Sequence, residues 1–282
     1  MDDAVATYLG DCLEVMDAIP SRSVDLILCD LPYGTTACPW DAVIPFNLLW
    51  AHYDRVLKPA GAAVFTACQP FTAHLLLSNL PWFRQELIWE KTMPTGFLDA
   101  KRKPRKADGT ILGLGRVRYT YNPQMTTGAA YTMVRGPRNG GGTALTADPQ
   151  IRFSPWTTVN AGTRYPKTVL RFAHDKLKIH PTQKPVALLE YLVRTYSNEG
   201  ELVLDNCMGS GSAGVACVNA GRRFVGIERD AGYYEAALGR IADAQFRLDR
   251  PHAPPARLLA PGKGGTAPKG PWSLFDGFGA AS

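Results

Sequence analysis

The chain has 282 residues, 45% of them hydrophobic and 20% charged, a balance that suits a folded globular protein and excludes global disorder. No apolar run reaches the roughly 20 residues of a membrane-spanning helix, and Met1-Asp2-Asp3 opens with neither the basic nor the apolar stretch of a secretory leader, so a cytoplasmic protein away from membranes is expected. The six cysteines (12, 29, 38, 68, 207 and 217) form no Cys-x-x-Cys pair, which argues against a disulfide framework or structural zinc and leaves most thiols as small buried hydrophobes, with no metal expected.

The first ninety residues alternate between strand and helix patterns. Residues 24–29 (Val-Asp-Leu-Ile-Leu-Cys) form a short apolar run suited to a buried strand. Over 45–57, Phe46, Leu49, Trp50, Tyr53, Val56 and Leu57 recur at helical spacing, and Lys58, Pro59, Ala60 and Gly61 are expected to stop that helix. Strand is expected again over 62–67, helix over 70–77 and strand over 86–89. Such alternation predicts βα units on a mostly parallel sheet.

From 91 to about 165 the texture changes. Residues 91–171 hold 14 Lys and Arg against three acids (Asp99, Asp108 and Asp148), while the rest of the chain has 17 basic and 22 acidic residues. Segregation of this kind points to a polyanionic partner, with a solvated basic surface as the plain alternative. There is no sustained periodicity, residues 138–143 are glycine-rich, and seven aromatics (Phe97, Tyr119, Tyr121, Tyr131, Phe153, Trp156 and Tyr165) interleave with the cations. A compact domain does not carry so long an irregular stretch without a functional reason, so it is read as an insertion.

The βα pattern then resumes. Helix is expected over 185–196, with Leu188, Leu189, Leu192 and Val193 on one face, followed by strand 202–205, helix 211–220, strand 224–228 and helix 230–246. In 251–271, 14 of 21 residues are Pro, Gly or Ala, which reads as a disordered linker ahead of an apolar cluster at 271–278. The expected organisation is 1–90 as the catalytic half of one domain, 91–170 as a basic insertion, 171–248 as the cofactor-binding half, and 249–282 as a disordered tail.

Two motifs carry chemistry. Residues 202–214 read as a strand, a glycine-rich turn and a helix, with Gly209, Gly211 and Gly214 at the Gly-x-Gly-x-x-Gly spacing that admits a nucleotide-type ligand close to the backbone. Glu228 ends the next strand, 23 residues after Asp205, where a carboxylate can accept hydrogen bonds from ribose hydroxyls. A plain glycine-rich turn with a surface glutamate is the structural alternative, and the pattern alone does not separate NAD from S-adenosylmethionine. The second motif, Asp30, Leu31, Pro32 and Tyr33, follows the 24–29 strand directly. At the carboxyl end of such a strand it faces the ligand cleft. A carboxylate and a backbone carbonyl on a rigid turn offer two acceptors to an aromatic amine, and the tyrosine offers a flat face for its ring. Taken alone, the tetrapeptide is equally an ordinary turn.

Together the motifs resemble the β-type amino-methylating DNA methyltransferases, in which an Asp/Asn/Ser-Pro-Pro-aromatic motif precedes the target-recognition region and the cofactor motif follows it. The resemblance runs over 6–241 and is most specific at His180-Pro-Thr-Gln-Lys-Pro185, Asp205, Gly209-Ser-Gly211 and Gly221-Arg-Arg-Phe-Val-Gly-Ile-Glu228, with Gly10-Asp11 matching the adenosine-contacting pair. It implies a Rossmann-like, doubly wound, mostly parallel seven-stranded sheet, S-adenosylmethionine as cofactor, and double-stranded DNA as partner. By the same resemblance Asp30 and the Leu31 carbonyl accept the target amine's hydrogens, and Tyr33 stacks on a base flipped from the duplex. Asp205 orders the glycine turn, Gly209 and Gly211 make room for the methionine part, Glu228 binds the ribose and Asp11 reads the adenine. Thr182, Gln183 and Lys184 close over the methionine end, where Lys184 is placed to pair with its carboxylate. Lys101, Arg102, Lys103, Arg105 and Lys106, with Arg116 and Arg118, are expected on DNA phosphates.

The sequence also departs from the family. Leu31 replaces the first proline of the catalytic motif, and Cys207 replaces an aromatic that packs on the cofactor. Residues 31–41 resemble a phage and prophage subgroup, which implies a bacterial or phage-infected cytoplasm. Cytosine-C5 chemistry is disfavoured because it needs a Pro-Cys nucleophile, and no such dipeptide occurs. Adenine N6 is the favoured target and cytosine N4 the alternative; a catalytically silent DNA-binding relative and an NAD-linked oxidoreductase are the rivals from other classes. Family analogy implies a homodimer. The segment Trp272-Ser-Leu-Phe275 resembles sliding-clamp docking motifs without their glutamine, against the alternative of a plain apolar tail.

Overall fold

The structure is a computed structural model that describes residues 4–36, 38, 41–136, 138–141, 148–153, 155–176, 179 and 182–250, with 138–141 and 148–153 as backbone only. The tail expectations from residue 251 onward lie outside the described residues.

The chain opens with β1 (Val5–Leu9), α1 (Cys12–Asp17), β2 (Val24–Cys29), α2 (Phe46–Val56), β3 (Leu57–Ala67), α3 (Phe71–Ser78), β4 (Phe83–Thr95) and β5 (Lys106–Leu114). Short strands β6 (Thr126–Thr127), β7 (Tyr131–Arg135), β8 (Arg138–Gly141), β9 (Asp148–Phe153), β10 (Trp156–Asn160) and β11 (Thr163–Arg164) follow. The chain then forms β12 (Val169–Phe172), α4 (Val186–Tyr196), β13 (Leu202–Asp205), α5 (Ser212–Ala220), β14 (Arg223–Glu228) and α6 (Ala231–Asp249).

The main sheet has the order β1-β14-β13-β2-β3-β5-β4-β12. Every neighbouring pair is parallel except β5, which runs against both β3 and β4. The sheet therefore has eight strands where seven were expected. At one edge β12, the return from the inserted region, pairs along Ile88 to Lys91 of β4.

Why the sheet is wound on both faces is visible in β2. Side chains alternate along a strand, so Leu26 and Leu28 point one way and Ile27 and Cys29 the other. The first pair packs with Leu188, Leu192 and Val193 of α4, Ala216 of α5 and Ile241 of α6. The second pair packs with Met16 of α1, Tyr53 of α2 and Leu75 of α3. An apolar run with no polar alternation is what a strand buried on both faces needs. Its single charge, Asp25, accepts from Lys58 Nζ at 2.7 Å and from the Leu202 amide at 3.0 Å.

Two expectations need correction. The helix ends at Val56, just before the 58–61 stop, but the strand expected from 62 already starts at Leu57, with a register shift against β2 between Val24 and Leu26. Pro59 sits in that irregular stretch, where a strand tolerates a missing N–H. The stretch from 91 to 165 is also more regular than expected, because β5 lies inside the main sheet and residues 91–95 complete β4. The compact inserted unit is Pro123–Lys167, and the rest of the fold is Met1–Asn122 with Thr168–Ser282.

Within the inserted unit the strands pair as β10 with β7, β11 with β6 and β8 with β9. Arg164 binds it together: its guanidinium donates to Asn160 Oδ1 at 2.6 Å and lies 4.8 Å from the Tyr131 ring centroid. Arg135 packs over Trp156 at 5.5 Å.

Candidate active site

Parallel strands bring the ends of β2, β3, β13 and β14 to one edge of the sheet, where open α/β folds bind ligands. A cavity of about 460 Å³ opens there, and Asp11, Asp30, Leu31, Pro32, Tyr33, Thr182, Gln183, Lys184, Asp205, Cys207, Gly209 and Glu228 all line it. The two sequence motifs therefore face one space, although 175 positions separate Asp30 from Asp205.

Asp30, immediately beyond β2, is saturated with donors. Its Oδ1 accepts from the Tyr33 hydroxyl and from Thr66 Oγ1, both at 2.5 Å, and its Oδ2 pairs with Lys184 Nζ. The Lys184 ammonium also lies 5.5 Å from the Tyr33 ring centroid. Burial, and then the charge of Asp30, push the Tyr33 phenol well above its ordinary range, so it stays protonated as a donor. Its ring rests against Phe71 with centroids 5.1 Å apart. Leu31 points its side chain into the core at 3% exposure, so a buried apolar anchor takes the place of a rigid ring.

The loop after this motif is shaped by Asp41. Its Oδ1 accepts from the amides of Tyr33 (2.7 Å) and Gly34 (2.9 Å), and its Oδ2 from the amides of Thr35 (2.9 Å) and Thr36 (2.7 Å) and from Thr36 Oγ1 (2.8 Å). One buried carboxylate thus folds residues 33–36 around itself.

Across the cavity, order comes from the backbone. The Cys207 amide donates to Asp205 Oδ1 at 3.1 Å, and the Gly209 amide donates to Glu228 Oε2 at 2.8 Å. Gly209 and Gly211 have φ of 50° and 73°, conformations that favour glycine. Gly209 lines the cavity. Ser210 and Ser212 line it as well; at Gly211 between them a Cβ would meet Ala237 Cβ at 2.8 Å, so this glycine lets α6 pack against the turn. Asp11 caps α1 by accepting from the Leu13 amide at 2.8 Å, and the Gly10 amide donates to the Glu228 carbonyl at 2.9 Å.

Lys184 lies against Asp30, on a 182–184 segment that is held by its neighbours. Gln183 donates to Asp175 Oδ2 at 2.9 Å, and its Oε1 accepts from the Ile179 amide at 3.1 Å and from Ser210 Oγ at 3.3 Å. Arg240 on α6 completes the tie by donating to the Ser210 carbonyl at 2.6 Å, with Asp175 Oδ2 at 3.9 Å. Thr66, Asp41, Asp175 and Arg240 were missed in the sequence. Asp41 had a local signal, the threonine pair at 35–36 a few residues before it; Arg240 had none, being one cation among several on a surface helix.

The thiols of Cys12, Cys29 and Cys207 meet at the cavity wall. Hydrogen bonding to Cys207 and burial push the Cys12 thiol far up, and burial pushes Cys29 up to about 12. These thiols are neutral and unreactive. Burial likewise raises the Asp205 carboxyl to about 7, against the lowering pull of the Cys207 amide.

The sequence model described as DNA methylase matches residues 24–239. The chain belongs to this amino-methylating DNA methylase family. Among proteins similar to it are the DNA adenine methyltransferase YhdJ of Escherichia coli (strain K12), 27% identical over 259 residues that cover 85% of this chain and 83% of the relative, and the Type II methyltransferase M1.MboII of Moraxella bovis, 26% identical over 251 residues that cover 80% and 92%. The fold is shared with the M1.HpyAVI–SAM complex (TM-score 0.59, 21% identity, 84% of this chain and 98% of the other). It is also shared with the PvuII DNA methyltransferase, described as cytosine-N4-specific (TM-score 0.58, 15% identity, 86% and 92%).

In this methylase the basic residues divide. Lys101, Arg102, Lys103 and Arg105 lie exposed between β4 and β5, and Lys106 begins β5, so the cluster belongs to the main unit. Arg118 is exposed as well. Arg116 is engaged within the fold: its Nε is 3.1 Å from Asp54 Oδ1, and its guanidinium lies 5.2 Å from the Trp82 ring centroid. No helix among the described residues is long and apolar enough to cross a membrane.

Proposed function

We propose that this methylase transfers a methyl group from S-adenosylmethionine to the exocyclic N6 of an adenine turned out of duplex DNA. The observation that carries the reading is the convergence of the Asp30 motif and the Asp205–Glu228 turn on one cavity. That cavity's volume suits a small-molecule site, and its carboxylates suit the cofactor's hydroxyls, amino group and positive charge. When bound, S-adenosylmethionine supplies an electrophilic methyl on a cationic sulfur.

Glu228 would accept from the ribose and Asp11 from the adenine amino group, while Thr182 and Gln183 would cover the methionine end. Asp30 Oδ2 and the Leu31 carbonyl would accept hydrogen bonds from the two hydrogens of the target amine, which draws the nitrogen lone pair out of the ring; as the amine gains the methyl, the sulfur leaves as a neutral thioether and one N–H proton passes to solvent. For that, the amine takes the place on Oδ2 held here by the Lys184 ammonium. Tyr33 fixes Oδ1 and offers its ring to the base. No covalent enzyme intermediate is needed, and rate comes from positioning and hydrogen bonding. An aspartate in the motif, and the likeness to a relative named for adenine, favour adenine over cytosine.

Incubating the protein with labelled S-adenosylmethionine and unmethylated genomic DNA, then separating nucleosides by mass spectrometry, tests this. N6-methyladenine is expected. N4-methylcytosine would overturn the base assignment, and no label on DNA despite cofactor binding would overturn the activity.

A further inference from the structure

The hairpin between β4 and β5 carries a tip that the reaction above does not use. Because β4 runs parallel to β3 and β2, its carboxyl end lies at the same sheet edge as Asp30. Lys91 near that end is within electrostatic reach of Lys184, the partner of Asp30. Gly96, at φ 82°, turns the chain into a single 3-10 turn, Phe97–Asp99. Phe97 is 74% exposed and Leu98 97%, with Met93 at 72% just before them. Three large apolar side chains exposed within six residues are the kind of surface that marks a contact.

Their surroundings say what kind. Residues 96–106 hold five cations against one acid, and that acid, Asp99, is 3.3 Å from Lys103. Arg105 braces the tip, donating to the Pro94 carbonyl at 2.5 Å and lying 5.8 Å from the Phe97 ring centroid. Cations around an apolar point match a duplex, with phosphates outside and base faces within. We propose that Phe97 and Leu98 form a wedge that enters the base stack of duplex DNA beside the extruded target base. This rests on the DNA methyltransferase reading above. Extrusion leaves a gap in the stack; the wedge fills it, and Lys101, Arg102 and their neighbours hold the flanking phosphates.

The test uses the full chain, the double variant Phe97→Ala/Leu98→Ala and the bulk-preserving Leu98→Phe. Two readouts are taken: methyl transfer to unmethylated genomic DNA, and the linking-number change of closed circular plasmid relaxed by topoisomerase with the protein bound. Losing one base-stacking contact predicts a roughly tenfold fall in transfer at limiting DNA for the double variant. Its unwinding falls in parallel, its salt dependence stays unchanged, and Leu98→Phe keeps both activities. Lys101→Ala/Arg102→Ala instead lowers the salt slope by about two. Unchanged transfer, or reduced transfer with unwinding intact, overturns the wedge. So does a switch from dimer to monomer in sedimentation, which makes the tip a contact between copies. Wild-type protein that transfers no methyl removes the parent reading, and that result is distinct from all of these.

Discussion

The two rims of the cavity are ordered by different means. On the Asp30 rim side-chain carboxylates do the organising: Asp30 gathers three donors and Asp41 five. On the opposite rim the backbone does it, through left-handed glycines and amides donating to Asp205 and Glu228. A rim of the first kind fails when one oxygen pair is removed, and a rim of the second kind fails when one Cβ is added.

The largest effect is expected for Asp41→Ala, which strips an acceptor from four amides and a hydroxyl. Unmet donors at about 1–3 kcal/mol each, partly relieved by water, predict a loss of about 3 kcal/mol in denaturant unfolding and a collapse of methyl transfer. Burial opposes the charge on Asp41, but the Thr36 hydroxyl and the amides of Gly34, Thr36 and Thr35 outweigh it and hold the carboxyl below its ordinary range. Its stabilising contribution is therefore present above the ordinary carboxylate pKa and is lost as pH falls through the lowered value. Unfolding free energies of wild type and Asp41→Asn that stay parallel from neutral to acid pH would show that the carboxylate is not the organiser.

Gly211→Ala comes next. Positive φ and the 2.8 Å approach to Ala237 predict about 2 kcal/mol of destabilisation. Gly209→Ala, at the cavity wall, should weaken cofactor binding more than it lowers the melting temperature. The reverse ranking would place the cofactor against Gly211.

Arg240→Leu cuts the tie between α6 and Ser210. Cofactor affinity should fall about tenfold, the equivalent of one charge-assisted hydrogen bond, with kcat nearly kept and partial rescue by lysine. An equal fall in kcat and affinity would make Arg240 a general support of the fold.

A last prediction changes no contact and reads pH alone. Burial raises Asp205 to about 7, above its unfolded value, so its neutral form stabilises the fold at low pH, and that contribution fades as pH rises from about 4 through 7. Replacing it by asparagine should flatten the cofactor-free melting temperature between pH 5 and 8 relative to wild type.

How much was legible follows from the same contrast between the rims. β2, β13 and the glycine turn stood out because unbroken apolar runs and glycine spacing are local consequences of burial and backbone geometry. Thr66, Asp175 and Arg240, around Asp30, Gln183 and Ser210, were invisible, since they acquire their partners only when separate elements fold together. β5 was hidden because Lys106, Asp108 and Gly109 mask its first half, while its buried Ile111, Leu112 and Leu114 read as too short a run. The packing of α6 on Gly211 was not legible, because spacing marks a glycine without saying which neighbour crowds it.

The central claim is that Asp30 acts on the acceptor amine while the opposite rim holds the methyl donor. Calorimetric titration of Asp30→Ala with S-adenosylmethionine, run beside the transfer assay on unmethylated DNA, addresses it most directly. Cofactor affinity close to wild type, with transfer reduced about a thousandfold, is the predicted result. Equal loss of binding and transfer would contradict it.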